Sequence, residues 1–242
     1  MPHSTGIALT AAASAVAIGG TLAYAALYPE SQLFGRTLIA GPDPAEIALT
    51  YDDGPNDAAT LRLLDVLAHH SVRATFFMIG RFIRQRPEIA RAVHAAGHLV
   101  GNHTMTHPWL AWQPDRVIRD ELRGCNQALE DTLGASVRFL RPPHGARRPA
   151  VMRAARELGL VVVQWNVMGN DWAPIGPDRV LHKVQRGIEA ARDRGRGANI
   201  LLHDGFDQRM GADRSVTVDA TDQLLTWQLA NGSRFVTVDA WS

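Results

Sequence analysis

The chain has 242 residues, a length that suits one large α/β domain better than two small ones. Hydrophobic residues make up 46% and charged residues 20%, which excludes the disordered and fibrous classes. A net charge of +1, with no Lys/Arg run longer than Arg147-Arg148, argues against a nucleic-acid partner; the lone Cys125 excludes an intrachain disulfide and reads as a packing residue.

From Ile7 to Leu27 no residue is charged, and Ala and Gly dominate. About 20 apolar residues can span a bilayer as a helix, whereas the core of a signal peptide runs to roughly 7–15 and ends in small residues, as Ala23-Tyr24-Ala25 would. Membrane association through residues 7–27 and an export signal both fit, and so does a poorly ordered or packed N-terminal helix. The positive residues that usually precede an export signal are missing, since Arg36 is the first Lys or Arg. Residues 1–32 are read as this apolar segment and a linker leaving through Tyr28-Pro29-Glu30-Ser31, and residues 33–242 as the folded domain. The location this implies is the cell envelope or the exterior, with the cytoplasm still open.

After Pro44, short β-type runs alternate with longer helical patterns, which argues for βα units around a parallel sheet or barrel. Strands are expected at Ile47 to Tyr51, Ala74 to Ile79, Leu99 to Asn102, Phe139 to Arg141, Val161 to Asn166, Asn199 to His203 and Phe235 to Val238. Helices are expected at Thr60 to His69, Pro87 to Ala96, Asp115 to Leu133, Pro149 to Leu158, Asp178 to Arg194 and Ala220 to Ala230. Pro87 suits a helix N-terminus because its missing N–H has no intrahelical partner there, and Gly97 suits the C-cap.

Chemistry gathers behind the strands. Asp52 and Asp53 follow the first, His103 the third, Arg141 the fourth, Asp171 comes after the fifth, and His203 ends the sixth. In α/β barrels the active site lies on the loops at the C-terminal strand ends, so this distribution predicts one catalytic face. One Asp with His103 and His107 makes three ligands for a divalent cation such as zinc, leaving a coordination position open to water or substrate. The second Asp is then free to act as a base. Taken singly each motif has a bland reading: Asp-Asp-Gly-Pro as a turn, the histidines as surface or core residues, Arg141 as the partner of any acid. His69, His70, His94, His98, His144 and His182 are read as outside the site.

The series Thr50-Tyr51-Asp52-Asp53-Gly54-Pro55, His103-Thr104-Met105-Thr106-His107, Arg141-Pro142-Pro143-His144-Gly145, Asp171-Trp172 and Leu202-His203 closely resembles the five motifs of the polysaccharide deacetylases. The resemblance covers roughly Ile47 to Val238. It implies a distorted (β/α)7 barrel of TIM-like kind and a metal-dependent hydrolase that removes N-acetyl groups from amino sugars of an acetylated glycan. Carried over by position, Asp53, His103 and His107 hold the cation, Asp52 is the base, Arg141 holds it, His203 is the acid and Asp171 orients that acid. Tyr51, Pro142, Trp172 and Leu202 fall on the substrate side: Trp172 and Leu202 line a pocket for the acetyl methyl, and Tyr51 or a near neighbour offers a main-chain N–H. Zinc is the expected ion, and cobalt, nickel or manganese also suit three N/O ligands. Two positions depart from the pattern, Tyr51 where Phe is usual and Asn166 where an Asp is frequent, and the second leaves the partner of Asp171 open. Relatives acting on non-sugar amides usually lose part of the Asp/His/His set, and a silent glycan-binding protein would be expected to lose the base or acid. Both are present here. Trp109 and Trp112 could stack on sugar rings or pack between barrel and helices, and the loops Asn170 to Pro177 and Asp207 to Val216 are expected to border the cleft.

Overall fold

The computed structural model describes residues 19–242. The expected apolar segment falls largely on residues 1–18, outside the described part; residues 19–27 are helical (α1). Among the described residues no helix is long and apolar enough to cross a membrane.

One parallel sheet organises the rest. Its strands are β1 (Glu46–Gly54), β2 (Thr75–Met78), β3 (Leu99–Asn102), β4 (Phe139–Leu140), β5 (Val161–Val162), β6 (Val167–Met168), β7 (Ala198–His203) and β8 (Arg234–Val236). They run in the order β5-β4-β3-β2-β1-β7-β6, and β8 pairs with the start of β1. Around them lie α2 (Thr60–His69), α3 (Gly80–Gln85), α4 (Pro87–Ala95), α5 (Asp115–Leu133), α6 (Pro149–Glu157), α7 (Pro177–Asp193) and α8 (Ser215–Ala230). This is the distorted barrel expected from the sequence, with the ring left open between β5 and β6. At the β5 edge Leu38 pairs with Val163, so residues before the first strand cover that side of the sheet.

Alternation along the strands divides the core into two layers, because successive side chains of a strand point to opposite faces. Leu49, Tyr51, Phe76, Met78, Val100, Ile200 and Leu202 pack outward against the helices, meeting Leu63, Leu67, Val93, Leu129, Val184 and Leu224. Each such side chain, fully buried, contributes about 1.5–3 kcal/mol. Ala48, Phe77, Phe139, Val163 and Val238 fill the opposite face. That inward face also carries Thr50, Asp52, Asn199, Leu201 and His203, which share the parity of Ala48 on β1 and alternate with Ile200 and Leu202 on β7. The site is therefore a polar continuation of the inner layer.

Three expectations change. The run Val161 to Asn166 keeps only β5 at its start, and β6 begins just beyond it, because Gln164 and Asn166 turn their amides onto main-chain groups of neighbouring segments. Helix α3 has no counterpart among the elements expected from sequence. Helix α8 begins at Ser215 rather than Ala220, with Thr217, Thr221 and Gln228 buried on its sheet-facing side.

Candidate active site

Two consecutive strand residues normally face opposite ways, yet Asp52 and Asp53 both reach the cleft. The register of β1 against β2 shifts between Asp52 and Gly54, a bulge, and Asp53 has φ 73°. Bulges re-aim side chains in this manner. A Cβ on Gly205 would collide with the carbonyl of Asp53, so the following loop can close over the turn only with glycine there. Thr104, His107, His144 and Asn170 also have positive φ, and all four belong to loops of this face. Non-glycine residues held in that region cost of order 1–3 kcal/mol each and cluster at functional sites.

The loop after β3 is fixed by its own polar groups. The Asn102 side chain accepts from the Thr104 N–H at 2.7 Å, and the Thr104 hydroxyl accepts from the His107 N–H at 3.0 Å. Glu121 of α5 receives both the N–H and the hydroxyl of Thr106. His103 Nδ1–H donates to the Arg141 carbonyl at 2.7 Å, which leaves Nε2 as the free lone pair aimed inward. The Nε2 atoms of His103 and His107 lie 3.4 and 3.2 Å from Asp53 Oδ1.

That triad fits a cation. Ligand atoms about 2.0–2.2 Å from a tetrahedral ion sit roughly 3.4 Å from one another, close to the spacing found. Asp53, His103 and His107 are the one group of such residues, among those described, able to hold an ion together. Asp53 Oδ1 is buried without a hydrogen-bond donor, and a buried orphan acceptor is costly unless a cation satisfies it. Burial opposes the charge of Asp53, but the imidazoles of His103, His203 and His107 outweigh it and hold the carboxyl well below its ordinary range. Burial, followed by His103, pushes His107 down to about 3, so it is neutral as a ligand must be. Burial likewise lowers His103, yet Asp52 and Asp53 reverse this and raise it, so a cation entering here competes with a proton.

Beside the triad, Asp52 is held by Arg141. Arg141 Nη1 donates to Asp52 Oδ1 at 2.8 Å and to the Thr50 hydroxyl at 2.7 Å, and Nη2 reaches the Gln164 carbonyl at 3.2 Å. The guanidinium is fully buried over the Phe77 ring, 4.3 Å from its centroid. Gly101 leaves room for that ring, since any Cβ there would strike it. The other Asp52 oxygen, Oδ2, is 3.7 Å from His103 Nε2, beyond bonding distance.

Opposite, His203 Nδ1–H donates to Asp171 Oδ1 at 2.9 Å, while the His203 N–H and the Thr217 hydroxyl both donate to Oδ2 at 2.7 Å. Burial favours the neutral imidazole, but Asp171 prevails and His203 rises to about 9. The open question about Asp171 is thus resolved by its contacts: its partners are His203 and Thr217. Asn166 lies away from it, bonding Gly197 and Asn199 at the start of β7.

One expected substrate contact is changed by strand parity. Leu202 points into the helix-facing layer beside Val180 and Val184, and Leu201, 4% exposed, shares the inward face with His203. The Tyr51 side chain is buried against Phe76 with its hydroxyl on Thr221, so only its main chain approaches the site. Pro142 is buried at the head of the turn after Arg141, and Trp172, beside Asp171, is 60% exposed. His144, placed outside the site from sequence, stands between His107 and Trp109: its ring meets His107 edge-on at 4.8 Å and stacks on Trp109 at 3.8 Å. Asp204 is a further residue of the site beyond those expected from sequence. It is buried beneath the Asp53 turn, accepts from the Thr60 hydroxyl, and is pushed up by burial to about 7. Asp207 Oδ2 lies 3.4 Å from His107 Nδ1 without hydrogen-bond geometry.

A carboxylate and two imidazoles poised for a cation, flanked by an arginine-held acid and an aspartate-held imidazole on a parallel barrel, define a metal-dependent hydrolase. The polysaccharide deacetylase family model matches residues 40–163, and the chain belongs to that family. It is 39% identical over 178 residues to a chitooligosaccharide deacetylase of Bradyrhizobium sp., covering 73% of this chain and 77% of that one. A solved peptidoglycan N-acetylglucosamine deacetylase superposes with TM-score 0.76 at 31% identity, covering 84% and 91% of the two chains. A pseudoenzyme of carbohydrate esterase family 4 from Bacillus anthracis superposes equally well, TM-score 0.76 at 28% identity over 85% and 68%. Fold likeness alone therefore does not separate active from inactive members.

Proposed function

We propose that this protein removes N-acetyl groups from N-acetylated amino sugars of a glycan, with Asp53, His103 and His107 holding zinc. The observation that carries this reading is the pairing of two adjacent acids with different tasks: Asp53 turned to two imidazoles, Asp52 fixed 2.8 Å from Arg141. When bound, the cation supplies polarisation of the amide carbonyl and acidity of the attacking water. Asp52 accepts that water's proton, aimed by Arg141. His203, kept protonated by Asp171, delivers a proton to the sugar nitrogen so that amine and acetate separate. Leu201 replaces Leu202 as the aliphatic wall for the acetyl methyl, with Trp172 at the rim and Pro142 stiffening the turn below.

The named deacetylases among the relatives act on chitin oligomers or peptidoglycan, and β-linked N-acetylglucosamine is the shared chemistry we assign to the substrate. Residues 33–242 form the catalytic domain of this reading, and the uncharged stretch 7–27 associates it with a membrane at the envelope. The test is acetate release from chitooligosaccharides with and without a chelator. Release that stops with the chelator and returns on adding zinc supports the reading; release indifferent to the chelator contradicts it.

A further inference from the structure

Arg147 is only 1% exposed and, among the described residues, has no carboxylate partner. A buried guanidinium is costly unless its donors are satisfied, so where they go is informative. Nη2 is shared among the carbonyls of Tyr28 at 2.9 Å, Pro29 at 3.3 Å and Ser31 at 2.6 Å, while the Arg147 N–H donates to the Ala26 carbonyl at 3.0 Å. These acceptors are the end of α1 and the residues just after it. A cation at a helix C-terminus meets both the unpaired carbonyls and the negative end of the macrodipole.

The other arm of Arg147 leads to the site. Nη1 donates to the Gly145 carbonyl at 3.0 Å, and the Gln164 amide donates to the same oxygen at 3.2 Å. The Gln164 carbonyl in turn accepts from Arg141, which holds Asp52, and the Arg141 carbonyl accepts from His103. A run of buried and partly buried hydrogen bonds, passing through Gln164 from its side chain to its main-chain carbonyl, thus joins residues 26–31 to the base and to a triad histidine.

We propose that Arg147 is a positioning residue that makes residues 26–31 a working part of the catalytic support, so that the segment read from sequence as a linker helps hold Arg141 and the turn Pro142–Gly145 in register. The consequence is that residues 26–31 hold a fixed orientation relative to the cleft. This inference rests on the deacetylase reading only for its activity readout.

The test uses the full chain with Arg147→Ala and Arg147→Lys, and Arg148→Ala as a control, since Arg148 bonds Gln113 and Asp115 instead. For Arg147→Ala we expect kcat on chitooligosaccharide to fall about tenfold, since small misplacements of catalytic groups carry losses of that size or more. KM should stay within about twofold and metal content should not change, while chymotryptic cleavage after Tyr24 accelerates about tenfold. The lysine variant, retaining charge but not the fork, should fall between, and Arg148→Ala should match the unsubstituted protein. Faster cleavage with unchanged kcat would overturn the coupling, as would no change in either. An inactive unsubstituted protein would instead sink the deacetylase reading and leave the cleavage and metal arms to be judged alone. If neither Arg147 variant folds, hydrogen exchange on the unsubstituted chain decides: amides of residues 26–33 should be protected in step with those of residues 145–148, and free exchange of the first beside protection of the second would contradict the proposal.

Discussion

The two sides of the cleft solve opposite problems with the same device. On the β1 side a carboxylate, Asp52, is pinned by the fully buried cation Arg141; on the β7 side an imidazole, His203, is pinned by the buried anion Asp171. Arg141 orients the carboxylate on one strand, and Asp171 keeps the imidazole protonated at its register partner on the neighbouring strand. Separating two titratable groups by environment is how one site carries out acid and base chemistry at a single pH. The triad between them is a third environment, in which Asp53 is held ionised and His107 neutral. The similarly folded pseudoenzyme shows why these pairings, not the barrel, are the place to look for activity.

The largest break in the scheme comes from the middle. His107→Ala or His103→Ala should lower metal occupancy by more than the about 10- to 100-fold that loss of an outer partner costs, and acetate release should fall with it. Metal content by mass spectrometry checks this. Because a raised His103 pKa means a proton competes for the same atom, metal should also leave as pH falls, which titration of the loaded protein would show.

Next in size is the acid side. With His203 at about 9, the donor is protonated below that pH and lost above it, so activity should decline on the alkaline side. Asp171→Asn removes the anion that raises it and should move this limb down toward the ordinary histidine value near 6.5, cutting activity at pH 8 by about tenfold or more. The same shift feeds stability: the pair's contribution is complete below about 6.5 and disappears as pH rises through about 9. Melting temperatures of the two proteins across that window should converge at its top. Smallest is Thr217→Val, which deletes one hydrogen bond to Asp171; about 1 kcal/mol, roughly a fivefold fall in kcat, is expected.

Much of the site could be read in the sequence because its residues are punctuation after strands, where polar letters interrupt apolar runs. Asp53, His103 and His107 converge as the motif order implied, and the Arg141 and His203 pairings follow from charge. What could not be read is which way a buried strand residue faces. Leu201 and Leu202 are both apolar, and in a parallel sheet covered on both faces the alternation between layers leaves no polar trace. Helix α3 spans only six residues, too few for a periodic pattern, and the tie from Arg147 to residues 26–31 joins positions more than a hundred apart through main-chain oxygens that no side-chain motif records.

The division of labour between the neighbouring acids is tested most directly by measuring metal content and acetate release together on Asp52→Asn. Full metal occupancy with turnover down by about 10²- to 10⁴-fold is the predicted result. Near-normal turnover, or loss of the metal along with activity, would contradict it.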